Sequence, residues 1–351
     1  MTVTRRNLLK GAAAATAVAT ASASSVQARA SSDDWQPAYR KLADQGLLDE
    51  RIEAIAAHYD QCRLCPHQCG VNRNARETGL CEAGARVRIY SHTPHFGEEL
   101  PLVGRRGSGT IFFSHCNLRC VFCQNWPIAH EGRGRLVNDR ELADMMIDLQ
   151  RRGCHNINFV TPTHVLPNIV QAVGRAARRG LRIPLVYNTS GYERVEVVRL
   201  LDGIIDIYLP DLKFMDGAHS QRLAMERAGD YPAMAKAAIL EMHRQVGTLV
   251  TDERGNALRG LMIRHLVMPN EVAGTREFVA WVAENLPLDT YVNIMPQWRV
   301  EHHAFEHEDI ARGITVGEFL DAMDWAREAG LTNLDERAVA AEQVYRQRLG
   351  S

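Results

Sequence analysis

Short apolar runs alternate with amphipathic stretches along most of the chain, a pattern that predicts an α/β fold with a parallel sheet. The runs are rich in Val, Ile and Leu and lack strict apolar–polar alternation, as expected of strands covered on both faces. The predicted strands span 110–114, 157–161, 183–188, 204–209, 261–268 and 291–295. Six strand–helix units in succession predict a partial (β/α)6 barrel that is TIM-like but incomplete.

Helices connect these strands. The predicted helices span 139–152, 166–179, 195–201, 231–246 and 276–285. Asn138 or Asp139 is suited to cap the first of them, and Gly153 and Gly180 stand where helices end. The segment 247–260, with its Asp-Glu-Arg-Gly-Asn turn, is expected to form a hairpin before the fifth strand.

The chain of 351 residues is long enough for one large domain with a small N-terminal extension. The region over 61–105 reads as a cysteine-rich loop and the region over 316–346 as a helix. The predicted segments are a signal peptide over 1–30, a helical lead-in and four-cysteine metal region over 31–105, a core over 106–300, and a C-terminal loop and helix over 301–351.

Composition excludes some classes of function. The formal net charge of -1 and the absence of a dense basic stripe argue against a nucleic-acid partner. No apolar run is long enough to span a membrane. Arginine is the usual cation, and lysine occurs only at Lys10, Lys41, Lys213 and Lys236. A lysine within a motif is therefore a candidate for a specific role.

The first thirty residues have the pattern of a twin-arginine export signal. Arg5 and Arg6 precede a mild Ala/Thr/Val run, and Ala28-Arg29-Ala30 forms a cleavage-type site. This predicts a periplasmic or exported protein, which stays cytoplasmic if the signal is not used. Export by this route follows folding and cofactor insertion, which suits a protein with a metal cluster.

Three cysteines follow the first predicted core strand with C-x3-C-x2-C spacing. Cys116, Cys120 and Cys123 lie on one short loop, and Phe122 precedes the last of them. Three thiolates can hold three irons of a [4Fe-4S] cluster and leave the fourth iron open. An open coordination position is typical of a catalytic metal, whereas a structural site is closed by protein ligands. Zinc bound with a distant fourth ligand is the alternative.

This loop resembles that of the radical S-adenosylmethionine (SAM) superfamily. The resemblance implies that the open iron chelates the amino and carboxylate groups of SAM, and that the fold is the partial barrel of the radical SAM type. It also implies a need for an electron donor protein.

Polar residues at the strand ends extend the resemblance. The second strand ends in Thr161-Pro162-Thr163, where most of the superfamily has Gly-Gly-Glu, and the hydroxyls of Thr161 and Thr163 are able to accept from the SAM ammonium. Asn188 is similar in place to an acid of glycyl-radical activating enzymes. The resemblance implies SAM-binding roles for these three residues.

The remaining strands end in similar groups. Asp211 and Lys213 resemble the Asp-Leu-Lys of activating enzymes, and the ammonium of Lys213 suits a carboxylate tethered to iron. Arg264 is expected to fork onto the SAM carboxylate or ribose. Met295 and Gln297 resemble the Asn-x-Met-x-Gln strand ending of the pyruvate formate-lyase activating enzyme-like branch. This resemblance implies that they flank the adenosine or the substrate. The alternatives are an internal salt bridge for Asp211 and Lys213 and simple packing for the others.

A second group of cysteines lies upstream. The C-x2-C-x3-C-x11-C spacing supplies four thiolates, enough for a zinc site or a second iron–sulfur cluster. The four residues are Cys62, Cys65, Cys69 and Cys81. The pyruvate formate-lyase activating enzyme-like branch is similar here. A metal is favoured over two disulfides, because the export route implies folding in a reducing compartment.

The leading hypothesis is a radical SAM enzyme that cleaves SAM reductively to a 5'-deoxyadenosyl radical for hydrogen abstraction. The resemblance implies a backbone glycine of a partner protein as one substrate. The rival hypothesis is an exported iron–sulfur or zinc protein with an electron-transfer or binding role and no SAM turnover. A disulfide-stapled periplasmic binding protein is a third alternative.

Overall fold

The computed structural model describes residues 28–29 and 35–350. The twin-arginine motif and nearly all of the predicted signal segment lie outside the described residues. The ten strands of the described sheet are β1 (Ala28–Arg29), β2 (Val87–His95), β3 (Ser108–Phe113), β4 (Arg135–Val137), β5 (Ile157–Val160), β6 (Leu185–Thr189), β7 (Ile207–Pro210), β8 (Val250–Thr251), β9 (Ala257–Leu266) and β10 (Tyr291–Met295).

The helices are short to medium in length. They are α1 (Ala38–Asp44), α2 (Leu48–Ala56), α3 (Leu100–Val103), α4 (Trp126–Ala129), α5 (Asp139–Arg151), α6 (Leu166–Arg178), α7 (Val195–Leu200), α8 (Gly217–Leu223), α9 (Tyr231–Val246), α10 (Thr275–Asn285), α11 (Val316–Glu328) and α12 (Glu336–Gly350). Short 3-10 turns span Ala57–Tyr59, Thr163–Val165, Pro269–Glu271 and Ala304–Glu306. No helix in the described ranges is both long and apolar enough to cross a membrane.

The parallel strands run in the order β3, β5, β6, β7, β9, β10, so chain order equals spatial order. This confirms the predicted α/β class and the partial barrel of strand–helix units. The predicted boundaries shift by a few residues. Ile183 lies in the loop before β6, where Pro184 follows it and disfavours regular pairing.

The largest difference from the sequence prediction is β2. The region over 61–105 was expected to be loop, yet Val87–His95 pairs antiparallel with both β3 and β4. Only Val87 and Ile89 of this strand are buried, because β2 has one face on the core and the other towards solvent. Its polar composition, which includes His92 and Pro94, concealed it.

The predicted helix cap and the predicted hairpin are both present in the structure. The Asn138 side chain accepts from the backbone N–H groups of Arg140 and Glu141, both at 3.0 Å, and Glu141 completes a capping box at the start of α5. The predicted hairpin over 247–260 forms from β8 and β9. At its turn, the Asp252 carboxylate accepts from the backbone N–H groups of Arg254 and Asn256.

Candidate active site

A cavity of about 420 Å³ opens at the carboxyl ends of the parallel strands. Each of the six strands contributes a residue at or just beyond its end: Phe112, Val160, Asn188, Asp211, Leu266 and Met295. In a barrel of this kind the strand ends form the binding face. The cysteine loop after β3 lines the same cavity.

All three cysteines of that loop lie on the cavity wall, as the sequence predicted them to lie together. Cys120 is buried, and Cys116 and Cys123 are half-buried. Burial raises the pKa of each thiol, to about 12 for Cys123, and the Lys213 ammonium opposes this rise. A backbone N–H from Leu118 also reaches the Cys116 sulfur at 3.3 Å. The loop thus holds three thiols beside a fixed positive charge.

The cysteine loop is strained and depends on its surroundings. His115 and Arg119 have φ of 72° and 47°, in the left-handed region. Non-glycine residues rarely adopt this region, because it costs about 1–3 kcal/mol per residue. The His115 N–H donates to the carbonyl of Ile128 at 3.0 Å. The Arg119 guanidinium forms an ion pair with Glu82 at 2.8 Å, without good hydrogen-bond angles.

The Asp211–Lys213 pair faces the cysteines across the cavity. Lys213 Nζ lies 2.5 Å from Asp211 Oδ2, and both side chains are 17% exposed. Burial lowers the pKa of Lys213, but Asp211 and the Cys120 thiol more than offset it, so the pKa is raised and the amine stays charged. The Tyr231 hydroxyl, 2.9 Å from the Lys213 N–H, fixes the backbone here.

Arg264 is engaged differently from the sequence prediction. Its guanidinium, expected to fork onto SAM, forks onto Glu99 at 2.6 and 2.7 Å and reaches Glu98 at 2.7 Å. A longer contact of 3.4 Å joins its Nη1 to the amide oxygen of Asn188. Asn293 of β10 also donates to Glu99, at 2.8 Å. The reason is the segment after β2, which carries both glutamates into the cavity.

Neither glutamate was predicted as a site residue. Burial raises the pKa of Glu98, but Arg264 and then His95 outweigh it, so the pKa falls to about 2 and the carboxylate is ionised. Burial opposes the charge of Arg264, yet Glu99 and Glu98 raise its pKa. The available signal was a pair of adjacent acids in the predicted loop region over 61–105.

The two predicted threonines have different surroundings. Thr161 lines the cavity and has φ of 60°. Thr163 does not line the cavity; it is fully buried and donates to Glu193 Oε1 at 2.5 Å. Thr189 donates to the same oxygen. Burial raises the pKa of Glu193 to about 7. Glu193 is therefore a buried acid behind the cavity wall that the sequence did not suggest.

The last predicted residues do meet at the cavity. Asn188, Met295 and Gln297 all line it. The Gln124 side chain, just beyond the cysteine loop, donates to the Gln297 carbonyl at 3.0 Å. The loop after β3 and the loop after β10 are thus joined across the cavity mouth.

Comparison with known proteins identifies the family. A protein-family model for the radical SAM superfamily matches residues 110–252. The uncharacterized protein MJ0674 of Methanocaldococcus jannaschii is 34% identical over 296 residues, which are 81% of this chain and 80% of that protein. The chain belongs to the radical SAM superfamily. A radical SAM enzyme binds a [4Fe-4S] cluster and SAM and needs an electron donor.

Three solved structures are similar at low sequence identity. HydG, a maturase of the [FeFe]-hydrogenase, is 10% identical with a TM-score of 0.44, and the match covers 84% of this chain but only 58% of HydG. Methylornithine synthase (PylB) is 11% identical with a TM-score of 0.39, covering 86% and 83% of the two chains. A radical SAM methyltransferase from Sphaerobacter thermophilus is 12% identical with a TM-score of 0.42, covering 84% and 91%.

The residues of this radical SAM protein fit its cofactors. Three thiols on one loop match the three protein ligands of a site-open cluster. Metal binding deprotonates thiols, and the Lys213 cation beside Cys120 favours that charge state. Asn188 and Asp211, at the strand ends, place oxygen acceptors on the cavity wall, of the kind that would suit the hydroxyl and ammonium groups of SAM.

The four upstream cysteines also come together. Burial is the main reason why the pKa of Cys65 is raised. The nearby thiols of Cys81, Cys62 and Cys69 each raise it further. The Arg73 guanidinium, almost fully buried, donates to the Cys81 sulfur at 3.2 Å. All eight cysteines of the chain are unpaired, so no disulfide forms among the residues described. Within those residues, no three or more His, Cys, Asp or Glu side chains are placed to hold a single metal ion.

Proposed function

We propose that the hydrogen abstraction performed by this radical SAM enzyme acts on a backbone glycine of a partner protein, as in glycyl-radical enzyme activation. The observation that carries the enzymatic reading is the cavity that joins Cys116, Cys120 and Cys123 to the ends of six parallel strands. The resemblance of Asp211 and Lys213 to the Asp-Leu-Lys of activating enzymes supports the finer assignment.

When bound, the cluster and SAM supply a 5'-deoxyadenosyl radical. The residues of the chain bind SAM and orient it in the cavity. We assign the Asp211–Lys213 pair to the polar groups of SAM, because both side chains line the cavity beside the cysteine loop. Asn188 offers an amide to the ribose. Arg264, held by Glu98 and Glu99, positions Asn188.

The decisive experiment for the enzyme is anaerobic. The reconstituted, reduced protein is incubated with SAM, and 5'-deoxyadenosine is measured by mass spectrometry. We expect product from the native chain and none above background from Cys120→Ala. Cys154→Ala is the matched control, because Cys154 is buried away from both cysteine groups and does not line the cavity. Absence of product from the native chain under several reductants refutes SAM cleavage.

A separate experiment tests the glycine substrate. Purified pyruvate formate-lyase, the reduced enzyme and SAM are mixed, and the organic radical signal is recorded by electron paramagnetic resonance. We expect a doublet from the α-hydrogen of a glycyl radical. If SAM is cleaved but no protein-based radical forms, the proposed glycyl-radical partner is refuted. The assignment as a SAM-cleaving enzyme then still holds.

We further propose that the upstream cysteines bind zinc or a second iron–sulfur cluster. Iron, sulfide and zinc analysis distinguishes the two, because two clusters require about eight irons per chain and one cluster requires about four. The rival function is a metal-binding or electron-transfer protein. It is favoured if Cys120→Ala loses the cluster but keeps the upstream metal and the fold, and if the native protein does not cleave SAM.

The export proposal concerns residues 1–30. A fusion of this segment to a folded reporter is expected to reach the periplasm, and Arg5→Lys with Arg6→Lys is expected to retain it in the cytoplasm. A reporter that stays cytoplasmic in both cases makes the cytoplasm the place of action.

A further inference from the structure

The upstream cysteine segment has little regular structure of its own. Between Ala57–Tyr59 and β2, the described chain forms turns and bends without a helix or strand. Its cysteines make no disulfides. A long irregular segment with several buried thiols requires another cross-link to stay ordered, and metal binding is the usual one.

Three contacts connect this segment to the catalytic cysteine loop. The first is a hydrogen bond in which His67 Nε2–H donates to the carbonyl of Asn117 at 2.8 Å. His67 lies between Cys65 and Cys69, and Asn117 follows Cys116 directly. Both His67 and Asn117 are buried, so water does not compete for this bond.

The second contact is the ion pair between Glu82, next to Cys81, and Arg119, next to Cys120. The third passes through His164. Arg73, which donates to the Cys81 sulfur, also donates to the His164 carbonyl at 2.5 Å. His164 in turn donates through Nε2 to the carbonyl of Ser114 at 2.8 Å.

These contacts meet the catalytic loop where it is strained. Arg119 has left-handed φ, and Ser114 directly precedes left-handed His115. A loop held in such a conformation requires support from its neighbours. Several of the supporting contacts come from, or bond to, the segment that carries the four upstream thiols. Other contacts, such as the bond from the His115 N–H to the Ile128 carbonyl, come from elsewhere.

We propose that the upstream cysteines bind a thiolate-ligated metal centre whose occupancy holds the Cys116–Cys123 loop in its cluster-binding conformation. His67, Arg73 and Glu82 are positioning residues that transmit this effect. The ligand is a thiolate-bound iron–sulfur cluster, because no three or more of the described side chains are placed to hold a single ion such as zinc. The inference rests on the proposed upstream metal site and on the loop as a cluster ligand, but does not require SAM cleavage.

The first test removes the upstream ligand that is most accessible. Cys69→Ser, at a half-buried position, is expected to release the upstream metal from the full-length protein. We expect the catalytic-loop cluster to be lost to a chelator about 10-fold faster, the usual size of an outer-shell effect. Metal analysis and the paramagnetic resonance spectrum of the reduced cluster give the readouts. A lost upstream metal with unchanged cluster retention overturns the proposal.

The second test keeps the upstream ligands intact. His67→Ala is expected to leave the upstream metal bound while the catalytic cluster is retained less well and its spectrum changes. His67→Gln, whose amide also donates, is expected to restore most of the retention. His155→Ala is the matched control, because His155 accepts backbone N–H bonds from Arg105 and Arg106 in a distant loop. Equal behaviour of His67→Ala and His155→Ala contradicts the coupling.

A third variant guards against misfolding. Glu82 is about half exposed, so Glu82→Gln is expected to fold normally and to weaken cluster retention to a smaller degree than His67→Ala. Asp49→Asn, which removes an exposed ion pair with Arg178, is the control. No difference between Glu82→Gln and Asp49→Asn removes Glu82 from the proposal.

Linkage gives an independent check of the same coupling. If the upstream metal raises the equilibrium affinity of the catalytic loop for its cluster, the assembled cluster must raise the equilibrium affinity for the upstream metal by the same factor. Chelator competition for the upstream metal, with native protein and with Cys120→Ala, measures this. Equal upstream affinity in the two proteins refutes the proposal, whatever the outcome of the SAM cleavage assay.

Discussion

At the scale of single residues, buried charge in the cavity is paired. Lysine is rare in a chain that uses mainly arginine, and among the lysines that the structure describes Lys213 is the one that acts on the thiols of the cysteine loop. Its partner Asp211 neutralises it at 2.5 Å. A compact ammonium fits between a carboxylate and three thiols, whereas a planar guanidinium would demand more space and more acceptors.

Removing one partner of this pair is expected to cost more than removing both. Lys213→Gln leaves Asp211 buried and unpaired, and should lower the free energy of unfolding by about 3 kcal/mol. Asp211→Asn combined with Lys213→Gln should recover much of that loss. Anaerobic urea denaturation of the metal-free protein measures both. A double variant that is as unstable as the sum of the single variants would contradict the pairing.

Glu193 gives the protein a pH-dependent term. Burial raises its folded pKa to about 7 from the ordinary value of 4.5, so the folded state holds a proton that the unfolded state releases first. This stabilisation is complete below pH 4.5 and is lost as the pH rises through 7.

We therefore expect Glu193→Gln to flatten the decline of stability between pH 5 and 8 by up to about 3 kcal/mol. The glutamine carbonyl is able to accept from Thr163 and Thr189 in place of the carboxyl oxygen. Thermal unfolding at several pH values tests this. Parallel pH profiles for the native and variant proteins would show that Glu193 is ionised in the fold. Asp206, another buried acid with a pKa raised to about 7, remains in both proteins and serves as an internal reference.

At the scale of elements, the segment after β2 builds one end of the cavity. Glu98 and Glu99 lie just beyond β2, which pairs antiparallel with β3 and ends beside the start of that strand, and both glutamates line the cavity. Arg264 of β9 and Asn293 of β10 then bind Glu99. One irregular segment thus connects the two edges of the parallel sheet, and its carboxylates set the charge there.

Glu99→Gln is expected to destabilise the protein by about 3 kcal/mol, because the buried Arg264 loses its main counter-charge. The loss of unfolding free energy in the double variant with Glu99→Gln and Arg264→Met should be smaller than the sum of the losses in the two single variants. A double-mutant cycle by chemical denaturation measures the coupling. Glu308→Gln, at an exposed loop position, is the control, and additivity of the two cavity substitutions would refute the pairing.

At the scale of the whole molecule, the C-terminal helix supports the cavity from outside. Arg337 of α12 donates to the carbonyls of Phe96 and Gly97, both at 3.0 Å. Those residues directly precede Glu98 and Glu99. The C-terminal segment, in which the sequence suggested no chemistry, therefore stabilises the segment that carries the two glutamates.

Arg337→Ala is expected to weaken the 96–99 segment by about 1–2 kcal/mol, the net value of two hydrogen bonds. Hydrogen exchange of amides in this segment should accelerate, while exchange in α5 and α6 should not change. Arg348→Ala, farther along the same helix, is the control. Uniform acceleration across the protein would indicate global destabilisation instead.

The extent to which the site was predictable differs from residue to residue. Cys116, Cys120 and Cys123 were predictable because their ligand spacing is local in sequence. Asn188, Asp211, Met295 and Gln297 were predictable because strand ends in a parallel sheet converge. The partners of Arg264 were not, since they follow β2, a strand with a solvent-facing side and only two buried residues.

The sequence alone determined the α/β class, the parallel strand order and the cysteine loop of a radical SAM protein, because each depends on periodicity or spacing between near neighbours. Only the tertiary structure decided that Arg264 pairs with two glutamates at the cavity wall, that Thr163 faces Glu193, and that the two cysteine-bearing segments contact each other. Those facts depend on which distant segments share a buried space, and the energy of pairing buried charges and hydrogen bonds is set only when that space closes.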